Sequence, residues 1–341
     1  LNASWTLYNG NKRLKTIQQE KLNNQMAELD VATSENNIQE SIAQVYIQIL
    51  YAAESVKVNE NTLQVSIAQR DRGQELLNAG SIAKSDLAQL EAQVSTDRYQ
   101  LVTAQATLED YKLQLKQLLE LDGENEMNIY LPALSDENVL APLPTKRDVY
   151  ISALSLRPEI EASKLNVEAS ELGINIAKSS YFPTISLSAG IGTNHTSGSD
   201  FTFGEQVKNG WNNSIGLSVS VPIFNNRQTK SAVQKAKLQY ETSMLSLLDE
   251  QKALYKTIES LWLDANSAQQ RYAAANEKLK STKISYELIS EQFNLGMKNT
   301  VELLTEKNNL LQAQQEQLQA KYMAILNTQL LKFYQGDQLA L

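Results

Sequence analysis

Residues 214–225 read Ser-Ile-Gly-Leu-Ser-Val-Ser-Val-Pro-Ile-Phe-Asn, and they lead almost at once into a proline-free helical pattern from Gln228 to Asn294. Ile215, Leu217, Val219 and Val221 fall on one face of an extended chain, with Ser214, Gly216, Ser218 and Ser220 on the other, because successive strand side chains point to opposite sides. The same junction stands at the start of the chain. Leu1, Ala3, Trp5 and Leu7 alternate with Asn2, Ser4 and Thr6, and a second proline-free pattern runs from Lys12 to Asn78.

The two junctions belong to a long repeat. Shifted by 216 positions, the interval from Gly80 to Gly296, the chain matches itself without a gap. Leu1 falls on Leu217, Ser4 on Ser220, Asn9 on Asn225, Leu22 on Leu238 and Tyr46 on Trp262. Further on, Leu63 falls on Leu279, Leu87 on Leu303 and Lys116 on Lys332. A register held over roughly 110 residues implies two copies of one structural unit, far longer than the ~20–50 residues of solenoid repeats.

Inside each copy the apolar residues recur every seven positions. Ile42, Ile49, Val56 and Leu63 do so in the first; Ile258, Ala265, Tyr272, Leu279, Tyr286 and Phe293 do so in the second. A helix over Lys12–Asn78 would be roughly 100 Å long at ~1.5 Å per residue, so it needs a coiled-coil partner. The partner follows each glycine break. Leu87, Val94, Leu101, Leu108 and Leu115 step by seven after Gly80, as do Leu304, Leu311, Leu318 and Ile325 after Gly296. Each copy therefore reads as a strand, a very long helix, a tight turn and a shorter returning helix.

Composition agrees. With 13 Gly, 6 Pro and a mean hydropathy of −0.37, the chain suits long helices sharing narrow seams better than a large core. A net charge of −8 offers no basic footprint and argues against nucleic acid as a partner. The lack of cysteine excludes disulfides and thiolate metal sites. No apolar run reaches the length of a transmembrane helix, about 18 residues or more. Leu1 opens inside a strand pattern, so the natural N-terminus is expected to lie upstream.

A third alternating run follows Pro183, with Ile185, Leu187, Ala189 and Ile191 set against Ser186, Ser188, Gly190 and Gly192. The face opposite the apolar one is small and polar, and Trp5, Tyr8, Tyr181, Phe182, Trp211 and Phe224 stand near strand ends. That suits membrane strands with lipid on one side, an aqueous lumen on the other and an interfacial aromatic girdle. A small soluble sheet capping a helical bundle is the alternative. Between the copies, Asp122–Arg147 shows no period, Val149 to about Ser180 reads as a helix, and Thr193–Asn213 reads as a polar loop with the only histidine, His195. No nucleophile–base set, phosphate-cradling loop or metal-ligand spacing occurs, so no enzyme, cofactor or metal is expected.

The order of these elements resembles the TolC-type outer-membrane efflux proteins. Arg157-Pro158-Glu159 leading to Tyr181-Phe182-Pro183-Thr184 is similar to a segment of that family. Val221-Pro222-Ile223-Phe224-Asn225 and Leu7-Tyr8-Asn9-Gly10 resemble its strand-to-helix corners. Ala79-Gly80-Ser81-Ile82 and Leu295-Gly296-Met297-Lys298 resemble its periplasmic tips. The resemblance implies a mainly α fold with a membrane β part. Two long helical hairpins form a coiled-coil α-barrel continuous with transmembrane strands, and three protomers close a twelve-stranded β-barrel, since bare strand edges are not tolerated in lipid. Divided accordingly, 1–8 is a membrane strand, 9–121 the first periplasmic hairpin and 122–148 an irregular equatorial segment. Residues 149–182 form a helix, 183–223 a membrane strand pair with an extracellular loop, and 224–341 the second hairpin. A helical region and a strand of the family, and any lipid-anchoring cysteine, would precede Leu1.

The implied function is passive conduction through the outer membrane of a Gram-negative bacterium and across its periplasm. The homotrimer would meet outer-membrane lipid and a periplasmic adaptor joined to an inner-membrane pump of RND, ABC or MFS type. By resemblance, Ala79, Gly80, Ser81, Ile82, Leu295, Gly296 and Met297 are adaptor-docking tips, with Ile82 and Met297 exposed. Asp86 takes the acid position and Lys298 the base position of a latch across the periplasmic mouth. Phe293 takes a tyrosine position without its hydroxyl. Glu302 takes the first of two acid positions around the constriction, and Thr305 stands at the second. Clustered acids there would favour cations. The alternative is a periplasmic adaptor, which also uses coiled-coil hairpins; two hairpins in one repeat, with membrane-sized strands, disfavour it.

Overall fold

The computed structural model describes residues 1–121, 129–130 and 139–339. In chain order these form β1 (Asn2–Asn9), α1 (Lys12–Asn78), α2 (Lys84–Leu118), α3 (Lys146–Leu156), α4 (Pro158–Lys178), β2 (Thr184–Gly192), α5 (Phe203–Asn209), β3 (Asn212–Ser220), α6 (Gln228–Asn294) and α7 (Thr300–Gln335). A single 3₁₀ turn, Ser179–Tyr181, joins α4 to the entry of β2. The repeat is structural as well as sequential. Both ends of α1 and the start of α2 map by the 216-residue shift onto those of α6 and α7. The chain divides into two compact units: residues 1–33 with 157–253, and residues 34–156 with 254–341.

The first unit holds an antiparallel sheet in the order β1-β2-β3. Its register stacks like on like. Trp5 pairs with Leu187 and that with Leu217; Ala3 pairs with Ala189 and that with Ile215. On the other face Ser4, Ser188 and Gly216 align, as do Thr6, Ser186 and Ser218. A bulge between Thr6 and Tyr8 inserts Leu7 and returns Tyr8 to the apolar row opposite Ile185. Trp5, Ile215, Leu217 and Val219 are all exposed, so the apolar face has no core over it in one protomer.

Each strand-to-helix corner uses left-handed backbone. Gly10 and Asn11 have φ of 65° and 63°; Asn226 and Arg227 have 52° and 63°. Gly10 is required twice over, because a Cβ there would stand 2.7 Å from the Ser179 carbonyl oxygen and 2.8 Å from Phe182 Cβ. The Asn9 side chain then accepts from the Arg13 amide at 3.2 Å and caps α1. Helix α4 is held from both sides: Gln19 of α1 donates to the Ala169 carbonyl at 2.8 Å, and Ser170 meets Ser243 of α6 at 2.8 Å.

One helix expected over 149–182 is two. Pro158 carries no amide hydrogen and pushes the residue before it out of the helical region, so Arg157 sits extended at φ −76°, ψ 124° and Pro158 opens α4. Helix α3 begins at Lys146, inside the segment expected to be irregular, of which 122–128 and 131–138 lie outside the described residues. The loop expected over 193–213 contains α5, capped by Thr202 and Glu205 in a reciprocal box. His195 Nδ1 lies 3.1 Å from Gln206 Oε1 in this loop.

In the second unit, α1, α6 and α7 share a core that includes Ile47, Leu50, Tyr272, Leu318, Ile325 and Leu330. Helix α3 packs Val149 and Ala153 inward beside α7. Trp262 donates to the Pro144 carbonyl at 3.0 Å, and Gln269 donates to the carbonyls of Val139 and Ala141, fixing the chain that leads into α3. Lys146 pairs with Glu259 at 2.6 Å while lying over the Trp262 ring. Among the described residues no helix is long and apolar enough to cross a membrane.

Candidate functional site at the hairpin tips

Both hairpins reverse through the same motif. Gly80 (φ 72°) donates to the Leu77 carbonyl at 2.9 Å while Ser81 donates to Leu76 at 2.8 Å. Gly296 (φ 73°) donates to Phe293 at 2.9 Å while Met297 donates to Gln292 at 2.8 Å. These crossed bonds around a left-handed glycine close the last turn of a helix and free the chain to turn back. A Cβ on either glycine meets nothing within 4 Å, so the demand is on φ alone. Ala79, Gly80, Ser81 and Gly296 are exposed, and Leu295 and Met297 protrude at 69 % and 71 % exposure. Ile82 does not protrude: its side chain is partly buried against the tip core, where a β-branched residue gains more than in water.

That core consists of Leu76, Leu90, Phe293 and Leu303, with Tyr286, Ile289 and Leu304 around it. Phe293, expected at the mouth, is 2 % exposed and packs inside the protomer. A ring without a hydroxyl has no polar tip to satisfy and lowers its energy by burial.

The returning helices begin with matched caps. Asp86 Oδ2 accepts from the Ala83 amide at 3.0 Å. Asn299 Oδ1 accepts from the Glu302 amide at 2.9 Å, and Glu302 Oε2 reaches back to the Asn299 amide at 3.3 Å. Lys298 donates to Glu302 Oε1 at 2.5 Å. This lysine, followed by the Asn299 amide, holds the Glu302 carboxyl below the usual carboxylate range. Lys298 is thus engaged one turn along its own chain, and within the protomer it pairs with Glu302 and not with Asp86. Thr305, exposed, bonds back to the Val301 carbonyl at 2.8 Å. The site therefore brings Lys298, Asn299 and Glu302 together and leaves Asp86 to a separate cap.

Farther from the turns lies a cluster that the sequence reading missed. Lys307 of α7 donates to Asp97 of α2 and to Ser66 of α1, and Ser66 donates to Asp97. Gln93 supplies the other Asp97 oxygen with a donor at 2.9 Å. Lys307 is 3 % exposed and Asp97 1 %, and burial draws the lysine pKa down despite the opposing pull of Asp97. A signal existed: each of the three lies three residues after a member of a seven-residue stripe (Leu63, Val94, Leu304), on the second seam position of a coiled coil.

Of the strand-associated aromatics, Tyr8, Tyr181, Phe182 and Phe224 are exposed and gather at the helix-bearing end of the sheet, and Trp211 is exposed at the other end. Trp5 stands in mid-strand opposite Leu187, a correction to its expected place near a strand end. Among the described residues no group of His, Cys, Asp or Glu could hold a metal ion.

Comparison with known proteins follows the same lines. The chain is 24 % identical to the outer membrane efflux protein BepC of Brucella suis over 294 residues, covering 86 % of this chain and 61 % of that protein. It is 24 % identical to the outer membrane protein TolC of Escherichia coli, covering 84 % of this chain and 58 % of TolC. The chain thus spans about three fifths of the length of these relatives. Among solved structures, CusC superposes with a TM-score of 0.84 at 19 % identity, covering 99 % of this chain and 77 % of that one. VceC of Vibrio cholerae superposes at 0.80 with 17 % identity, covering 99 % and 79 %. The outer membrane efflux protein family model matches residues 149–336, more than half of the sequence, and the chain belongs to that family, one of outer-membrane channels and not of enzymes.

Proposed function

We propose that this protein is the outer-membrane channel of a tripartite efflux or type I secretion system: a passive, trimeric conduit for substrates delivered by an inner-membrane pump through a periplasmic adaptor. One observation carries the reading. The sheet sets Trp5, Leu187 and Leu217 in one row on a face with no core above it, and Ser4, Ser188 and Gly216 in the adjoining row on the opposite face. An exposed apolar face finds its solvent in lipid, and the polar face then lines water. β1 and β3 pair only with β2 among the described residues, and in lipid their outer edges require further strands, so closure of a twelve-stranded barrel by three protomers satisfies them.

The helices continue the conduit into the periplasm. Leu295 and Met297, protruding from the second tip, are the adaptor contacts, with Ala79, Gly80 and Ser81 at the first. Glu302 rings the constriction as one carboxylate per protomer, each held by its Lys298, so the mouth carries a weaker negative field than bare carboxylates would give. Cation preference at the mouth is correspondingly modest.

The test is single-channel conductance of the complete protein in planar bilayers, with and without Glu302→Gln. Discrete, cation-preferring steps that change in the variant support a pore with Glu302 at its constriction. Steps indifferent to the substitution keep the pore and remove Glu302 from it. A protein that forms no trimer overturns the reading.

A further inference from the structure

The two hairpins repeat one another, yet within a protomer only one of their grooves is filled. Helix α7 packs across α1 and α2. Lys307 meets Ser66 and Asp97, Gln315 Oε1 accepts from Ser55 at 3.1 Å and from Tyr51 at 3.4 Å, and Leu318 is buried. Ser66 and Gln69, beneath it, are 2 % and 8 % exposed. The matching groove between α6 and α7 is open. The 216-residue shift carries Tyr51, Ser55, Ser66 and Gln69 to Ser267, Arg271, Thr282 and Ser285, and these line two hollows of about 570 and 350 Å³ that share Lys278.

The same shift names what fits there. Lys307, Gln315 and Leu318 map onto Glu91, Tyr99 and Val102 of α2. Where Lys307 and Leu318 are buried, Glu91 is exposed, Tyr99 is 74 % exposed and Val102 59 %. The protomer's own α2 is on the wrong side to enter. It meets α7 at Lys307, whereas the groove-lining Glu316 and Ala320 lie nine and thirteen residues on, about half a turn round the helix. A second copy supplies the α2 that fits. Its Tyr99 comes against Arg271, a ring beside a guanidinium, and Ala268, Ala274 and Ala320 leave room for its backbone to approach.

Charge separates the two seats. Glu91 in the place of Lys307 would face the buried carboxylate of Asp97. Moving Lys307 elsewhere would leave that carboxylate buried without its cation, and either arrangement is costly. The counterpart of Asp97 in the open groove is Ala313, which opposes no acid.

We propose that the groove between α6 and α7 seats α2 of a second copy, with Glu91, Tyr99 and Val102 entering as Lys307, Gln315 and Leu318 enter the first groove, and that the opposite charges of Glu91 and Lys307 hold each helix to its own seat. Each copy offers one such groove and one such helix, so the contact is heterologous and repeats around a closed ring. This rests on the reading of the chain as a trimeric channel.

The experiment uses the complete protein in detergent, and its chain has no cysteine over the sequence described. Thr282→Cys with Glu91→Cys, treated with a short bismaleimide, is expected to give covalent trimers. Independently, light scattering follows dissociation of trimers on dilution. Thr282→Asp sets an acid against Glu91 of the next copy and is expected to weaken the trimer roughly tenfold. Thr282→Lys is expected to strengthen it, and Thr282→Asp with Glu91→Lys to return it towards wild type. Both residues are at least partly exposed within the protomer, so these changes spare its core. A trimer that gives no chain-to-chain product, or is indifferent to the sign of charge at position 282, overturns the seat and leaves the trimeric channel standing. A wild type that forms no trimer overturns both.

Discussion

Asp86 and Glu302 are the same residue of the repeat, each the third residue of its returning helix and each accepting a bond from the amide three positions back. Only Glu302 has a lysine one turn earlier, since the position matching Lys298 is Ile82. The two hairpins thus share a backbone and differ in charge. One tip presents an acid that only caps, the other an acid that caps and pairs.

That pairing sets a pH dependence. Lys298 and the Asn299 amide lower the folded-state pKa of Glu302, so the ionised form is favoured by folding. The stabilisation is present above the pKa of an unfolded glutamate and is lost as pH falls through the lower, folded value. Lys298→Met is expected to move the titration of Glu302 upward towards the ordinary carboxylate range, observable by carboxyl-carbon NMR of the labelled side chain. An unmoved titration removes Lys298 as the cause.

Three glycines in left-handed backbone are expected to respond unequally. Gly80→Ala and Gly296→Ala meet open space, so each costs about 1 kcal/mol, the penalty of a Cβ at positive φ. Gly10→Ala carries the same penalty and also drives a methyl group against the Ser179 carbonyl and Phe182, so it costs more than either tip substitution. Denaturant unfolding of the three variants gives the ranking, and equal effects would mean that the corner relaxes freely.

Much of the fold was legible in the sequence, for physical reasons that also mark where legibility ends. The spans of α1 and α6 follow from proline-free heptads bounded by turn residues, and the faces of β2 and β3 from strict alternation. These are local properties of the chain. The break at Arg157-Pro158 was visible as a proline but masked by apolar spacing that continues across it. Helix α5 had its signature in Thr202 and Glu205, set in a stretch otherwise composed of loop residues. The positions of Phe293 and Lys307 were of another kind. Which side of a long helix meets which neighbour is decided by four helices together, and a lysine can swing its head several ångströms from its register position. The Asp97–Lys307 contact, 210 residues apart, therefore had only its seam position to announce it.

The two faces of the sheet predict opposite tolerances. Leu217→Lys places a charge in the apolar row shared with Trp5 and Leu187, and such a change at the middle of a membrane face costs about 2–4 kcal/mol. Ser188→Lys, one residue along from Leu187 on the polar face, is expected to leave insertion into lipid vesicles unchanged. Reversible folding into vesicles measures both. Equal sensitivity of the two positions would mean that the apolar face does not meet lipid.

Phe293→Tyr tests what holds the tip closed on itself. The ring is enclosed by Leu76, Leu90 and Leu303, so a hydroxyl added in place is buried among hydrocarbon. An unpaired buried hydroxyl costs about 1–3 kcal/mol, and the variant is expected to unfold at lower denaturant with that difference. The added oxygen has a second course open to it. If the ring turns outward to hydrate the hydroxyl, it vacates a site between two hairpins, and the apolar core loses an aromatic side chain. Stability then falls further, towards the 3–5 kcal/mol of a phenylalanine truncation, and the tyrosine becomes accessible to an aqueous quencher of its fluorescence. The two courses separate on quenching alone: a protected tyrosine keeps Phe293 as a structural wedge of the tip, and an accessible one returns that position to the mouth of the channel.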